Sequence, residues 1–334
     1  MRTQPILIAH RGASADRPEH TLASYAHAIA QGADFIEPDL VLTRDGVLMA
    51  RHENEISETT DVASHPEFAA RKTTRVIDGT SMTGWFTEDF TLAELKTLRA
   101  RERLPRLRPG NTAYDGQFEI PTLQEILALV KDEEARTGRR IGIYPETKHP
   151  SYFAHIGLPH ETPLLAVLAA YGYTAADDPV FIQSFEVGNL QALHGKTRLR
   201  LIQLVDASGS PADRPGQSYT DMVTPQGLRD IARYAQGIGP NKSLVIARDM
   251  LGRMGPPTPL VAHAHAAGLA VHPWTFRPEN FFLPLGQRVG INPQSRGDLQ
   301  AEITAFLHAG VDGVFSDDVA SARAAIDGYI ARQP

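Results

Sequence analysis

The chain contains no cysteine. Disulfides, thiolate metal sites and a cysteine nucleophile are therefore excluded, whatever the compartment. No apolar run approaches the roughly 20 residues needed to cross a bilayer. A basic excess is also missing: 33 Lys and Arg stand against 39 Asp and Glu, for a net charge of −6. Nothing in that balance draws a polyanion non-specifically, so nucleic acid is not expected as a partner. The opening MRTQPILIAHRG runs straight into a strand-like segment and reads as carrying no signal peptide.

Hydrophobic residues make up 42% of the 334 and charged residues 22%, a globular composition with material for one large core. Short apolar runs alternate with segments of helical period. ILIAH (6–10) precedes HTLASYAHAIAQG (20–32), and FIEPDLVLT (35–43) is strand-like, with LMARH (48–52) returning after an RDG turn. In PTLQEILALVKDEEARTG (121–138), Thr122 is followed three residues on by Glu125 and the segment closes on Gly138, the signature of a capped helix. IGIYPETK (141–148), VFIQSF (180–185), LRLIQLV (199–205), GIGPNKS (237–243), LAVHPWTF (269–276) and DGVFSD (312–317) read as further strands, each followed by a helical pattern. About eight strand–helix pairs in strict alternation predict an α/β fold, a (β/α)8 TIM barrel. The sixth strand is the weak member, and alternation alone also fits an open doubly wound sheet. Residues 53–120 break the rhythm. They are polar, with one helix expected over 91–100, and read as a subdomain inserted after the second strand on the C-terminal face. Such an insertion is either a cap over a site or a solvated surface excursion.

The C-terminal ends of barrel strands converge on one mouth. Here those ends carry His10 and Arg11, Glu37 and Asp39, His52 and Glu53, Glu146 and Lys148, Gln183 and Ser184, His272 and Trp274, and Asp317 and Asp318. Glu37 and Asp39 are two apart, so on a strand they share a face and repel unless a cation lies between them. With Glu146 from a neighbouring strand they form a candidate site for one hard divalent cation, Ca²⁺ or Mg²⁺. Alone, the E-x-D spacing equally fits a solvated pair at a strand end. His10 and His52 each follow a strand run directly and are candidates for acid and base. Arg11 offers a phosphate a planar fork and Lys148 a point charge, the other reading of each being a surface ion pair. Gln183 joins these as a substrate-contacting candidate. Glu19 is expected near the mouth as a substrate contact, a cap of the first helix or a partner of Arg11. The other histidines, His65, His149, His155 and His263 among them, read as structural or surface residues.

Taken together, HRGASADRPEHT, GADFIEPDLVLTRDG, ARHENEISETTDV, GIYPETKHP, FIQSF and VHPWTFR resemble the glycerophosphodiester phosphodiesterase family, over about residues 5–325. PEHT, where many members carry PENT, together with GIYPETK and YGY is similar to the bacterial periplasmic type. A periplasmic location is what that resemblance implies, with a cytoplasmic one open. The resemblance also implies a TIM barrel with a subdomain inserted after the second strand. It implies hydrolysis of glycerophosphodiesters to sn-glycerol 3-phosphate and an alcohol, with a divalent cation. By matching motif, His10 and His52 are the acid–base pair, Glu37, Asp39 and Glu146 the metal ligands, and Arg11 and Lys148 the phosphate contacts. Trp274 is the aromatic residue near the substrate, a position that otherwise reads as core.

Two other readings share part of this pattern. A lysophospholipase D or a sphingomyelinase-D-like lyase would carry the same His, Glu, Asp and Lys set. The sequence shows no evident membrane-binding apolar patch, which favours small soluble diesters such as glycerophosphocholine or glycerophosphoethanolamine. A non-catalytic binding barrel would require a lost histidine or metal ligand, and all are present. Attack by water and attack by the substrate's own 2-hydroxyl, through a cyclic phosphate, both fit the motifs. The sequence does not indicate an oligomeric state.

Overall fold

Eight parallel strands close into a ring whose order follows the chain; a computed structural model describes residues 4–333. The first is β1 (Ile6–His10). The second is split by Pro38, which has no N–H for the ladder, into β2 (Phe35–Glu37) and β3 (Asp39–Leu42), and β4 (Leu48–Ala50) returns antiparallel beside β3. The insertion contributes a hairpin of β5 (Thr73–Ile77) and β6 (Thr80–Gly84). The third barrel strand is split in the same way at Pro145, into β7 (Gly142–Ile143) and β8 (Glu146–Thr147). Then come β9 (Phe181–Ser184), β10 (Arg200–Val205) and β11 (Gly237–Pro240). A second hairpin, β12 (Ile246–Arg248) and β13 (Met254–Pro257), sits in the loop that follows β11. β14 (Ala270–Val271) and β15 (Gly313–Ser316) complete the ring, with β1 lying between β15 and β2. A parallel bridge between Phe276 and Ser316, and bonds from Asp312 N to Val271 O (2.9 Å) and Phe315 N to Pro273 O (3.1 Å), close the last seam. The open-sheet alternative is thereby excluded.

Alternation along the strands separates two apolar layers. Ile8, Phe35, Tyr144, Phe181, Ile202 and Phe315 fill the interior, with Tyr144 edge-on to Phe35 and Phe315. His272 belongs to this layer rather than to the mouth, 2.9 Å from the Tyr144 hydroxyl through Nδ1. The larger cluster lies between the strands and the surrounding helices. The sixth strand looked weak because GIGP offers few side chains. Neighbours fill the space instead: a Cβ on Gly237 would stand 2.8 Å from Ile202 Cδ1, and one on Gly239 would stand 2.6 Å from Leu204 Cδ2.

Local signals set the helix ends. Thr122 and Glu125 form the expected reciprocal capping box on the helix Leu123–Thr137, which ends on left-handed Gly138. In the insertion, Thr91 and Glu94 make a second capping box, yet helix forms only over Leu92–Leu95 and not over 91–100. Beyond it the chain turns so that buried Leu98 and Ala100 face the core and Ala100 bridges Thr60, contacts a continued helix could not make. The insertion's hairpin turns on Asp78 and Gly79, both at positive φ (50° and 78°), the backbone that Asp-Gly favours.

Gly12 sets the path out of β1. Its φ is +87°, and a Cβ would lie 2.7 Å from the Ser24 backbone carbon. Gly12→Ala is expected to destabilise the fold by about 2 kcal/mol or more, read as a fall in Tm on thermal unfolding.

Candidate functional site

The chain leaves β1 through two residues of unusual backbone. Arg11 (φ 61°) and Gly12 turn it sharply, and His20 (φ 55°) bends it again at the helix entry. Buried Arg51 pins this loop by donating to the carbonyls of Glu19 (3.1 Å) and His20 (2.9 Å). The bend points the Arg11 N–H at Glu37 Oε2 (2.9 Å) and its guanidinium Nη1 at Glu19 Oε2 (3.1 Å). His20 bridges Tyr25 Oη (2.7 Å, Nδ1) and Asp39 Oδ2 (2.9 Å, Nε2), so it holds one of the acidic candidates in place. The left-handed backbone explains the residue type there: Asn and His tolerate it better than most. Glu19 lies behind Arg11, bonded to it and to Arg103 (2.9 Å), while Thr21 caps the helix.

Glu37, Asp39 and Glu146 come together as expected. One oxygen from each lies within 4.8 Å of the others, and all three side chains are buried. Burial and the two neighbouring carboxylates hold Glu37 well above the ordinary range. Burial, with Asp39 beside it, pushes Glu146 up to about 8 despite Lys148 Nζ at 3.0 Å. Asp39 goes the other way: Arg11 and His20 outweigh its burial and hold it well below the ordinary range. Gln183 donates to Glu37 Oε1 (3.0 Å), but its own carbonyl oxygen is buried with no partner. Three crowded carboxylates and an orphaned amide oxygen are a hard-oxygen set that suits a divalent cation.

His10 and His52 open on the same cavity of about 290 Å³, which Glu37, Glu146, Gln183, Trp274 and Arg277 also line. Trp274 is thus a wall of the site, with its indole N–H held by Gly239 O (2.7 Å). Each histidine rests on a carboxylate through Nδ1: His10 on Asp317 (2.6 Å), His52 on Glu53 (3.0 Å). That leaves Nε2 as the free ring nitrogen of His10. The Nε2 of His52 lies 3.4 Å from Lys148 Nζ. Burial and the nearby cations push His10 down to about 4 and His52 to about 3, so both rings are neutral near pH 7.

The insertion reaches both of these pairs. Arg108 donates to Asp317 Oδ2 (2.5 Å) and to Glu279 Oε1 (2.6 Å). Asp78, at the tip of the β5–β6 hairpin, bonds His149 Nδ1 (2.5 Å), and His149 Nε2 bonds Glu53 Oε2 (2.7 Å). His149, read from sequence as a bland histidine, therefore links the insertion to the partner of His52. The sequence places Asp317 at the mouth but does not foresee its bonds to His10 and Arg108. It assigns no role to Arg108, His20 or Arg51, since each acts through a contact with another segment.

Comparison with known proteins agrees with this fold. The model of the glycerophosphoryl diester phosphodiesterase family matches residues 10–321. The chain belongs to this family. A glycerophosphodiester phosphodiesterase of Arabidopsis thaliana is 37% identical over 328 residues, covering 94% of this chain and 84% of the relative. One from Haemophilus influenzae is 30% identical, covering 95% and 88%. Among solved structures, an Oleispira antarctica phosphodiesterase in complex with the product sn-glycerol-3-phosphate superposes with a TM-score of 0.62 at 23% identity, covering 97% of each chain. A glycerophosphodiester phosphodiesterase from Agrobacterium tumefaciens gives 0.58 at 18% identity, covering 95% and 99%. These structures share the family's barrel fold.

The link through His149 is testable by pH. Burial lowers its affinity for a proton, but Asp78 and Glu53 outweigh that and raise the imidazole from 6.5 to about 9. A raised pKa stabilises the fold fully below about 6.5, and the contribution disappears as pH rises through about 9. The term is at most about 3 kcal/mol, since Asp78 sits at an exposed tip. Chemical unfolding should show the stability gap between wild type and His149→Asn closing between about pH 6.5 and 9.5. A gap independent of pH would remove the charged link.

Proposed function

We propose that the enzyme hydrolyses small glycerophosphodiesters to sn-glycerol 3-phosphate and an alcohol, with His10 and His52 as general acid and base and one divalent cation held by Glu37, Asp39 and Glu146. The observation that carries this is a pair of carboxylate-backed imidazoles opening on the cavity that Glu37 and Glu146 of the acidic cluster line. The relatives' names and the product-bound neighbour support the same substrate class.

The chain's own residues supply most of the chemistry. Arg11 and Lys148 offer positive charge to the phosphate; the carboxylates around each outweigh burial and keep it protonated. Asp317 and Glu53 occupy the Nδ1 side of each histidine, so proton exchange takes place at Nε2. A neutral ring can take the proton of the attacking hydroxyl there, and its carboxylate then stabilises the imidazolium. The other ring donates a proton to the departing alkoxide, and the bound phosphate's negative charge favours that ring's charged form. A Ca²⁺ or Mg²⁺ ion on the acidic cluster would act as a Lewis acid toward the phosphoryl oxygens. An adjoining cavity of about 260 Å³ shares Glu146, Phe185 and Asp206 with the first, giving the two arms of a diester separate room.

Hydrolysis of glycerophosphocholine, followed as release of glycerol 3-phosphate, tests the reading. His10→Ala and His52→Ala are each expected to lower kcat by about a hundredfold or more. Near-normal turnover in either would remove that residue from the chemistry. Chelation should abolish activity, and added Ca²⁺ or Mg²⁺ should restore it. The same ions should raise the Tm of the metal-free protein but not that of Asp39→Asn. Full activity in chelator would end the metal assignment.

A further inference from the structure

The sequence offered no apolar patch, yet folding assembles one. Nine large hydrophobic side chains stand exposed among the described residues, and six of them fall in two loops. Met250 (104% exposed) and Leu251 (64%) form the tip of the β12–β13 hairpin. Phe281 (60%), Leu285 (48%), Val289 (61%) and Ile291 (103%) lie in the segment after β14. The two loops are joined: Leu285 N donates to Gly252 O (2.8 Å), and Arg248 Nη2 to Phe282 O (2.6 Å). Both follow barrel strands, so both stand on the face that carries the active-site mouth. The patch also continues from the cavity wall, because Arg277 lies over the Phe282 ring (4.7 Å) and Phe281 packs edge-on to Phe282.

Exposed apolar groups gathered in one place mark an interaction surface. Charge identifies the occupant. Segments 248–253 and 281–291 hold three arginines against one acid, Asp249. Arg253 pairs with Asp249 (2.8 Å) and Arg248 with Glu302 (3.1 Å), while Arg288 keeps an unpaired charge among the described residues. The loops thus retain a positive excess in a chain whose net charge is −6. Apolar tips among arginines match the boundary of a bilayer, where side chains enter the acyl region and cations meet anionic headgroups. We propose that these two loops seat the barrel mouth on anionic phospholipid membranes, so that diesters at or near a lipid surface reach the site directly.

The inference goes beyond the proposed hydrolysis, and membrane binding can be measured without turnover. Full-length protein is spun with vesicles of phosphatidylcholine, with and without about one third phosphatidylglycerol. Binding to the anionic vesicles, weakened by salt, is expected, with at least a tenfold loss of partitioning in Met250→Asp/Ile291→Asp. Both side chains are fully exposed, and an unchanged Tm confirms that the variant folds. Wild type remaining in the supernatant, or the variant binding as well as wild type, overturns the proposal. So does light scattering that shows a dimer dispersed by the double substitution, because a second copy would then be the occupant.

Discussion

The site is organised around negative charge that the protein does not neutralise by itself. Three buried carboxylates share one small volume, and in a low dielectric their repulsion costs far more than it would in water. Most of the polar architecture nearby answers that repulsion. The Arg11 backbone N–H and the Gln183 amide bond Glu37, Lys148 stands against Glu146, and Arg11 and His20 hold Asp39. These contacts settle Asp39 as an anion and leave Glu37 and Glu146 short of positive charge. A doubly charged ion is the simplest complement to what remains.

The two imidazoles proposed as acid and base depend on parts of the chain that lie outside the barrel repeat. Each imidazole is oriented by a carboxylate, and each carboxylate is reached from the insertion, directly by Arg108 or through His149 by Asp78. The excursion after the second strand is therefore neither a detached cap nor an idle surface loop. It grips the barrel from both sides of the mouth, and its fold sets how well the two rings are held.

What the sequence made legible follows a physical division. The barrel was readable because strand and helix periods are local, and the helix over 123–137 because its capping box is local as well. The acidic cluster and His10 and His52 were readable because barrel topology brings strand ends together. Contacts between distant segments had no local signal. Arg108 meets Asp317 across 209 positions and Asp78 meets His149 across 71, so neither could be inferred from spacing. The short helix over 92–95 failed for a related reason: tertiary burial of Leu98 and Ala100 overrode a good helical pattern. The exposed apolar loops were hidden because their members are interrupted by Gly, Pro and Arg along the chain.

The split of the second and third strands has a consequence of its own. Pro38 stands immediately before Asp39 and Pro145 immediately before Glu146, and both proline carbonyls still accept cross-strand bonds at 2.9 Å. A pyrrolidine ring fixes φ at each proline, so the backbone leading into two of the three acids has one rotation fewer with which to let them part. Their mutual repulsion then persists in the folded chain instead of dissipating through a local rearrangement. A divalent cation held there as proposed would find its oxygens already gathered, with little ordering left for binding to supply.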